Sequence, residues 1–298
     1  MTEKSNLQLV LESGAFAVTA ELGPPKGADA EPVRRKSRIL KGYCDAANIT
    51  DNQAAVVRMA SWAGALIAIE EGVEPIMQMT TRDRNVMALQ SDLIGASALG
   101  IRNILALSGD PIKIGNHPDA QAVSEIDSTA LTAMISAMKG EGIFANGEKI
   151  PTPPSFFVAS AANPTMDTAE KIESKISAGT DFFQSNIIYD IAAFRAWFEP
   201  LRDSGAFGTA PFLAGVTPPK SEQILRHMHD KIPGVTVPDE TFQRMAGKEG
   251  KAAEEAGMAI AVDVIEAVRQ IDGVAGVHLM AVAWEEAIPE IVETAGLR

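Results

Sequence analysis

The fold class that this sequence predicts is α/β, specifically a single (β/α)8 TIM barrel over residues 1–298. Three observations predict it. Short apolar runs alternate with longer helix-periodic segments, and the alternation repeats about eight times, the pattern of a parallel sheet covered by helices. No strand is followed by the glycine-rich Gly-x-Gly-x-x-Gly turn of a dinucleotide-binding sheet. The length, 298 residues, accommodates one barrel, which needs about 250.

The elements follow in order. Ala15–Leu22 (AFAVTAEL) reads as a strand, then GPPKG and a helix around Glu31–Leu40. Ala46–Thr50 is the second strand, with a helix over Val56–Glu71. Glu74–Thr80 precedes a helix over Val86–Leu99, and Asn103–Leu107 precedes one over Ser128–Lys139. Phe156–Ser160 leads to a helix at Thr168–Ala178, and Asp181–Gln184 to one at Ala192–Leu201. Phe212–Val216 is followed by Ser221–Asp230 and two further helices, near Asp239–Met245 and Glu249–Gln270. Gly276–Met280 closes the set, with a last helix near Trp284–Ala295. Pro111–Ala120 and Gly140–Pro154 are polar and too long for plain turns, and long βα loops are where barrel sites are built.

Bulk properties narrow the function classes. A net charge of −13 argues against nucleic acid and anionic membrane as partners. The lone Cys44 forms no intrachain bridge, and no Cys/His spacing suggests zinc. The N-terminal MTEKSNLQLV has no apolar signal-peptide core, and Ala63–Ile69 is far shorter than the roughly 20 residues of a membrane span. A cytoplasmic protein is expected.

In a barrel, polar residues at the C-terminal strand ends are the site candidates. They are Glu21, Asp51 and Asn52, Thr80–Asn85, Ser108–Asp110, Asn163, Gln184–Asn186, Thr217 and the residues around His278. Glu21 ends an apolar strand before two prolines; a partly desolvated carboxyl there is raised in pKa and suited to proton donation. It reads equally as a cap of the next helix or a partner of Lys26. Asp110 leaves a buried strand through Ser-Gly, either for close approach to a ligand or as a plain turn residue. Thr80–Asn85 puts two arginines and an aspartate where a strand enters a helix, either as part of a site or as an N-cap with Asp83 near the first turn and the arginines solvated. His227 and His229, two apart on a helix, make a poor metal pair, and no metal site is expected.

Several strings taken together are far more specific: AELGPPKG (20–27), ANITDN (47–52), TTRDRNVMALQSDLIGASALGIRNILALSGDP (80–111), HPDAQAVSEIDS (117–128), AANP (161–164), KISAGTDFFQSNIIYD (175–190), PGVTVPD (233–239) and GVHLM (276–280). With this order and spacing the sequence resembles the methylenetetrahydrofolate reductase family nearly end to end. The resemblance implies a barrel holding a flavin, usually FAD, with NADH or NADPH as donor and a tetrahydrofolate as substrate. It places Glu21 at the general-acid position and Asp110 beside flavin and pterin. It implies cofactor contacts from Thr50, Asp51, Asn52, Gln78, Thr80, Arg82, Ser108, Gly109, Asp127, Asn163 and Lys175, and substrate contacts from Gln184, Asn186 and Glu222.

The sequence departs from the family's pattern at four of these places. Ser108-Gly109-Asp110 stands where many members have Arg-Gly-Asp, with Arg82 or Arg84 as the replacement cation. Gln78 stands where a common branch has histidine. Asn186 replaces the usual folate-contacting glutamine, with Gln184 two residues earlier on the same strand face, and Glu222 stands where a stacking aromatic is frequent. These changes leave room for FMN, for a flavin-free NADH-dependent enzyme, or for a subunit fed by an electron-transfer partner protein. Homo-oligomerisation is also left open.

Overall fold

The structure is a computed structural model that describes residues 4–298. Its eight parallel strands form a closed barrel in sequence order: β1 (Ala17–Leu22), β2 (Ala46–Ile49), β3 (Pro75–Thr80), β4 (Asn103–Leu107), β5 (Phe157–Ala162), β6 (Phe182–Ile187), β7 (Phe212–Val216) and β8 (Val274–Leu279). Closure is made by β1 on β8, with Thr19 opposite His278, while on its other side Glu21 lies opposite Asn48. Strands buried on both faces explain why each reads as a short, nearly continuous apolar run.

The helices are α1 (Asn6–Glu12), α2 (Glu31–Leu40), α3 (Ser61–Glu70), α4 (Val86–Ala98), α5 (Ser128–Gly140), α6 (Ala169–Ser177), α7 (Ile191–Asp203), α8 (Glu222–Lys231), α9 (Asp239–Met245), α10 (Gly250–Arg269) and α11 (Ala287–Thr294). Two expectations need correction. The third helix begins at Ser61, not Val56, because residues 53–55 form a separate turn with left-handed backbone at Ala54 and Ala55. Asp83 is not a cap: Asn85 caps α4 by accepting from the Ala88 N–H at 2.9 Å.

Side chains inside the barrel divide into two zones. At the N-terminal end, Ala17, Ala46, Ile76, Leu105, Phe157, Phe182 and Leu213 form an apolar plug, with Phe157 and Phe182 stacked at 4.7 Å. Helix α1 stoppers this end through Leu7 and Leu11, one turn apart on one face. Glu74 anchors the helix by accepting from the N–H groups of Asn6 and Leu7 at 2.6 and 2.9 Å, a carboxylate at the positive helix end. With the bottom sealed, only the C-terminal mouth is left for chemistry.

Candidate active site

Above the plug the interior turns polar, because alternate residues on each strand point inward. Gln184 and Asn48 form a reciprocal amide pair: Asn48 Nδ2 donates to Gln184 Oε1 at 2.8 Å, and Gln184 Nε2 donates to Asn48 Oδ1 at 3.2 Å. The Gln184 amide also donates to Thr19 Oγ1 at 3.1 Å, and Thr19 Oγ1 lies 3.0 Å from His278 Nδ1. Burial holds the His278 pKa down at about 3, so this imidazole stays neutral. The result is a rigid, uncharged, hydrogen-bonding floor.

One strand position above Thr19, on the same face, stands Glu21. Burial raises its pKa from 4.5 to about 7. The negative charges of Glu285 and Asp110 add to that shift, while a hydrogen bond from Gln53 Nε2 to Glu21 Oε1, at 3.3 Å, and the ammonium of Lys36 oppose it. Neither structural alternative for Glu21 holds. The N-cap of α2 is Ala30, with no side-chain cap, and the hydrogen-bond partner of Glu21 is Gln53, not Lys26.

The cavity over this floor has a volume of about 520 Å³. It gathers Glu21, Gln78, Ser108, Asp127, Asn163, Lys175, Gln184 and Asn186 from the sequence-predicted set. On one wall Lys171 and Lys175 share the buried carboxylate of Asp167 at 2.7 and 2.8 Å, and Lys175 Nζ also donates to the Ala161 carbonyl at 2.7 Å. Two ammoniums against one carboxylate leave this wall with one excess positive charge. Asn163 Oδ1 is buried there without a hydrogen-bond partner. Asp127 caps α5 through the Ala130 N–H at 2.8 Å, and Ser108 Oγ accepts from the Ser128 N–H at 3.2 Å. Asn186 donates to the Pro233 carbonyl at 3.2 Å.

Other predicted residues surround the cavity without lining it. Asp51 is a strut: its Oδ2 accepts from the Thr80 N–H and hydroxyl at 2.9 and 3.0 Å and from Arg84 Nη1 at 2.7 Å. Arg82 forks onto Asp83 at 2.6 and 2.7 Å and donates to the Asp110 carbonyl at 3.0 Å. Gly109, at φ +88°, fits between Thr80 and Arg82, where an added Cβ would stand 3.2 Å from both side chains. Thr50 is buried with an unpartnered hydroxyl. Asn52 joins Arg82 in lining a separate cavity of about 290 Å³. Glu222 does not reach the main cavity; it opens α8 and pairs with Arg226 at 2.7 Å.

Asp110 sits at the exposed rim, its carboxylate accepting from the Ala54 N–H at 2.7 Å. Asn52, Ala54 and Ala55 all have left-handed backbone, at φ +47°, +56° and +54°. Asparagine tolerates this region, but for each of the two alanines it costs roughly 1–2 kcal/mol. Gly115 packs so closely beneath the turn that a Cβ there would lie 1.9 Å from the Ala55 carbonyl oxygen. The strained turn places Gln53 on Glu21 and Ala54 on Asp110, so one loop holds both predicted catalytic carboxylates.

Asn48, Gln53, Asp167 and Lys171 are absent from the sequence-predicted set. A signal existed for three of them: an asparagine at an inward position of an apolar strand, and the i, i+4, i+8 spacing that sets Asp167, just before α6, in line with Lys171 and Lys175 on it. Among the described residues, no cluster of three or more His, Cys, Asp or Glu side chains is arranged to hold a metal, and no helix is long and apolar enough to cross a membrane.

Among curated proteins, the chain is 28% identical over 232 residues to "Methylenetetrahydrofolate reductase 2" of Schizosaccharomyces pombe, covering 74% of this chain and 35% of that protein. It is 23% identical over 236 residues to "Methylenetetrahydrofolate reductase 1" of the same yeast, covering 76% of this chain and 36% of the relative. The chain therefore spans about a third of the length of the curated relatives it matches. Among solved structures, its barrel resembles that of an uncharacterized protein from Clostridium thermocellum described as binding two copies of 5-methyl-5,6,7,8-tetrahydrofolic acid. The TM-score is 0.67 at 13% identity, over 99% of this chain and 100% of the other. The family model described as "Methylenetetrahydrofolate reductase" matches residues 6–296, and the chain belongs to that family.

Proposed function

We propose that this chain is a flavin-dependent methylenetetrahydrofolate reductase, interconverting 5,10-methylenetetrahydrofolate and 5-methyltetrahydrofolate with Glu21 as the general acid. The observation that carries this reading is a half-buried carboxyl at the mouth of a sealed barrel with a pKa raised to about 7, on a floor of neutral amides. A proton donor works best when its pKa lies near the working pH.

The cavity residues fit a flavin. Asn163 offers a buried acceptor without a partner, and Gln78 adds a nearby amide; both suit the imide edge of a heterocycle. The excess positive charge of the Lys171–Asp167–Lys175 cluster suits a diphosphate. Ser108, Asp127 and Lys175 would line the cofactor, with Thr50, Asp51, Asn52, Thr80, Arg82 and Gly109 shaping the loops beneath it. When bound, the flavin supplies the hydride, having taken it from NADH or NADPH.

The chain's own residues do the rest. Glu21 donates its proton to the bridging nitrogen of the imidazolidine ring, and the ring opens to a 5-iminium cation that accepts hydride at the methylene carbon. Asp110, whose charge already reaches Glu21, favours that cation. Gln184, its N–H groups locked on Asn48 and Thr19, and Asn186, held by Pro233 and Ile187, would present fixed amide oxygens to the pterin.

The test is the absorbance spectrum of the purified protein followed by anaerobic titration. The expected result is a flavin spectrum bleached by NADH or NADPH and restored by methylenetetrahydrofolate. A colourless protein that gains no activity from added FAD would overturn the flavin assignment.

A further inference from the structure

Behind Glu21 lies an ion pair with no part in the mechanism above. Lys36, on α2, is mostly buried and donates to the Gly23 carbonyl at 3.2 Å, two residues beyond Glu21. Its ammonium is also 2.5 Å from Glu285 Oε1. Glu285 comes from the segment between β8 and α11 and is itself only 4% exposed. A buried carboxylate on a short surface-bound loop is costly unless paired. The neighbouring pair, Arg35 with Glu286, is half-exposed and gives the loop a tether to α2 already. Anchoring therefore does not by itself require a second, buried charge at this place.

The charges facing Glu21 suggest why it is there. They come from three elements: Lys36 on α2, Glu285 before α11 and Asp110 after β4, with neutral His278 on the floor. Lys36 is the only cation of this set. An unpaired ammonium beside Glu21 would draw the proton off its carboxyl at neutral pH.

We propose that Glu285 is a positioning residue for the proton donor: it sequesters the Lys36 ammonium, denies Glu21 a counter-ion, and so keeps Glu21 protonated for donation. This rests on the reading of Glu21 as the general acid. The pairing also fixes the Gly23 carbonyl, and with it the turn that follows Glu21.

The test compares wild type, Glu285→Gln and the double variant Lys36→Met/Glu285→Gln. Glutamine keeps the shape and an acceptor for Lys36, and replacing both members of a buried pair is commonly tolerated. Thermal melts confirm that each variant folds. The first readout is the protonated-carboxyl infrared band of Glu21 in the protein without substrate, assigned by subtracting Glu21→Gln, and followed against pH. The second is the pH profile of methylenetetrahydrofolate reduction. Glu285→Gln should lower the Glu21 midpoint by about one pH unit, about a tenfold loss of the protonated form at alkaline pH. The double variant should return the midpoint most of the way to that of wild type, the remainder being the lost direct repulsion of Glu285, and the alkaline limb of activity should move in parallel. An unmoved midpoint in Glu285→Gln, or a shift that persists undiminished in the double variant, would overturn the proposal. Because the infrared titration needs no turnover, it judges the pairing even if the activity reading fails; a midpoint that moves while activity does not follow would count against Glu21 as the acid alone.

Discussion

Replacing Asp51 by asparagine should destabilise the protein by about 3 kcal/mol, the low end of the roughly 3–5 expected when one partner of a buried ion pair is removed. The Asp51 side chain is 1% exposed and takes four hydrogen bonds, two from Thr80 and two from Arg84. An asparagine keeps one acceptor oxygen but turns an NH2 group toward donors, leaving buried polar groups unmatched. The low end applies because Arg84 retains Asp92 at 2.9 Å and remains paired. At about 2–4 °C per kcal/mol for a domain somewhat smaller than this one, the melting temperature should fall by at most roughly 6–12 °C. Circular dichroism melts of wild type and Asp51→Asn measure this directly. A shift below about 1 °C would refute the strut, and weakened flavin retention at an unchanged melting temperature would make Asp51 a direct cofactor contact instead.

Two further outcomes follow from the surroundings of Glu21. Its folded-state pKa is raised from 4.5 to about 7, so the stability associated with its protonated form is fully present below pH 4.5 and lost as pH rises through 7. Glu21→Gln, which cannot ionise, should therefore gain stability relative to wild type between pH 5 and pH 8.5, by at most about 3 kcal/mol, seen in paired melts; a pH-independent difference would contradict the buried assignment. Gln53→Leu removes the donor that favours the charged form. The alkaline limb of its activity profile should move to higher pH, whereas a uniform loss at all pH values would mean that Gln53 only supports the loop.

The barrel was legible because strands buried on both faces leave compact apolar runs, and the helices between them carry their own period. The misses have local causes. Helix α1 is only seven residues long, too short for periodicity to stand out. Strand β6 runs on to Ile187 because Ser185 and Asn186, polar in sequence, are still within the barrel wall. The start of α3 moved because Ala54 and Ala55 adopt a backbone that alanine rarely takes, held by Asp110 and by the close approach of Gly115.

The site was legible where one strand supplied the signal. Glu21 is a carboxylate in an apolar run, and its partial desolvation follows from that run alone. Whether Asp51 and Arg82 would face a ligand or be consumed by neighbours depended on Arg84, Asp83 and Asp110, whose placement only the folded loops decide. Gln53, Lys36 and Glu285 reach Glu21 from a turn, a helix and a loop far apart in sequence, so nothing local announces them. Glu222 stands apart from the main cavity because a residue at the first turn of α8 finds an i, i+4 partner in Arg226.

The most direct test of the central claim is the anaerobic stopped-flow comparison of wild type with Glu21→Gln, following flavin reduction by the nicotinamide and flavin reoxidation by methylenetetrahydrofolate separately. The account predicts unimpaired flavin binding and reduction, with reoxidation by the folate slowed by about 10²–10⁴-fold, the range of a lost general acid. Reoxidation within a few-fold of wild type would contradict it and leave Glu21 without a role in the chemistry.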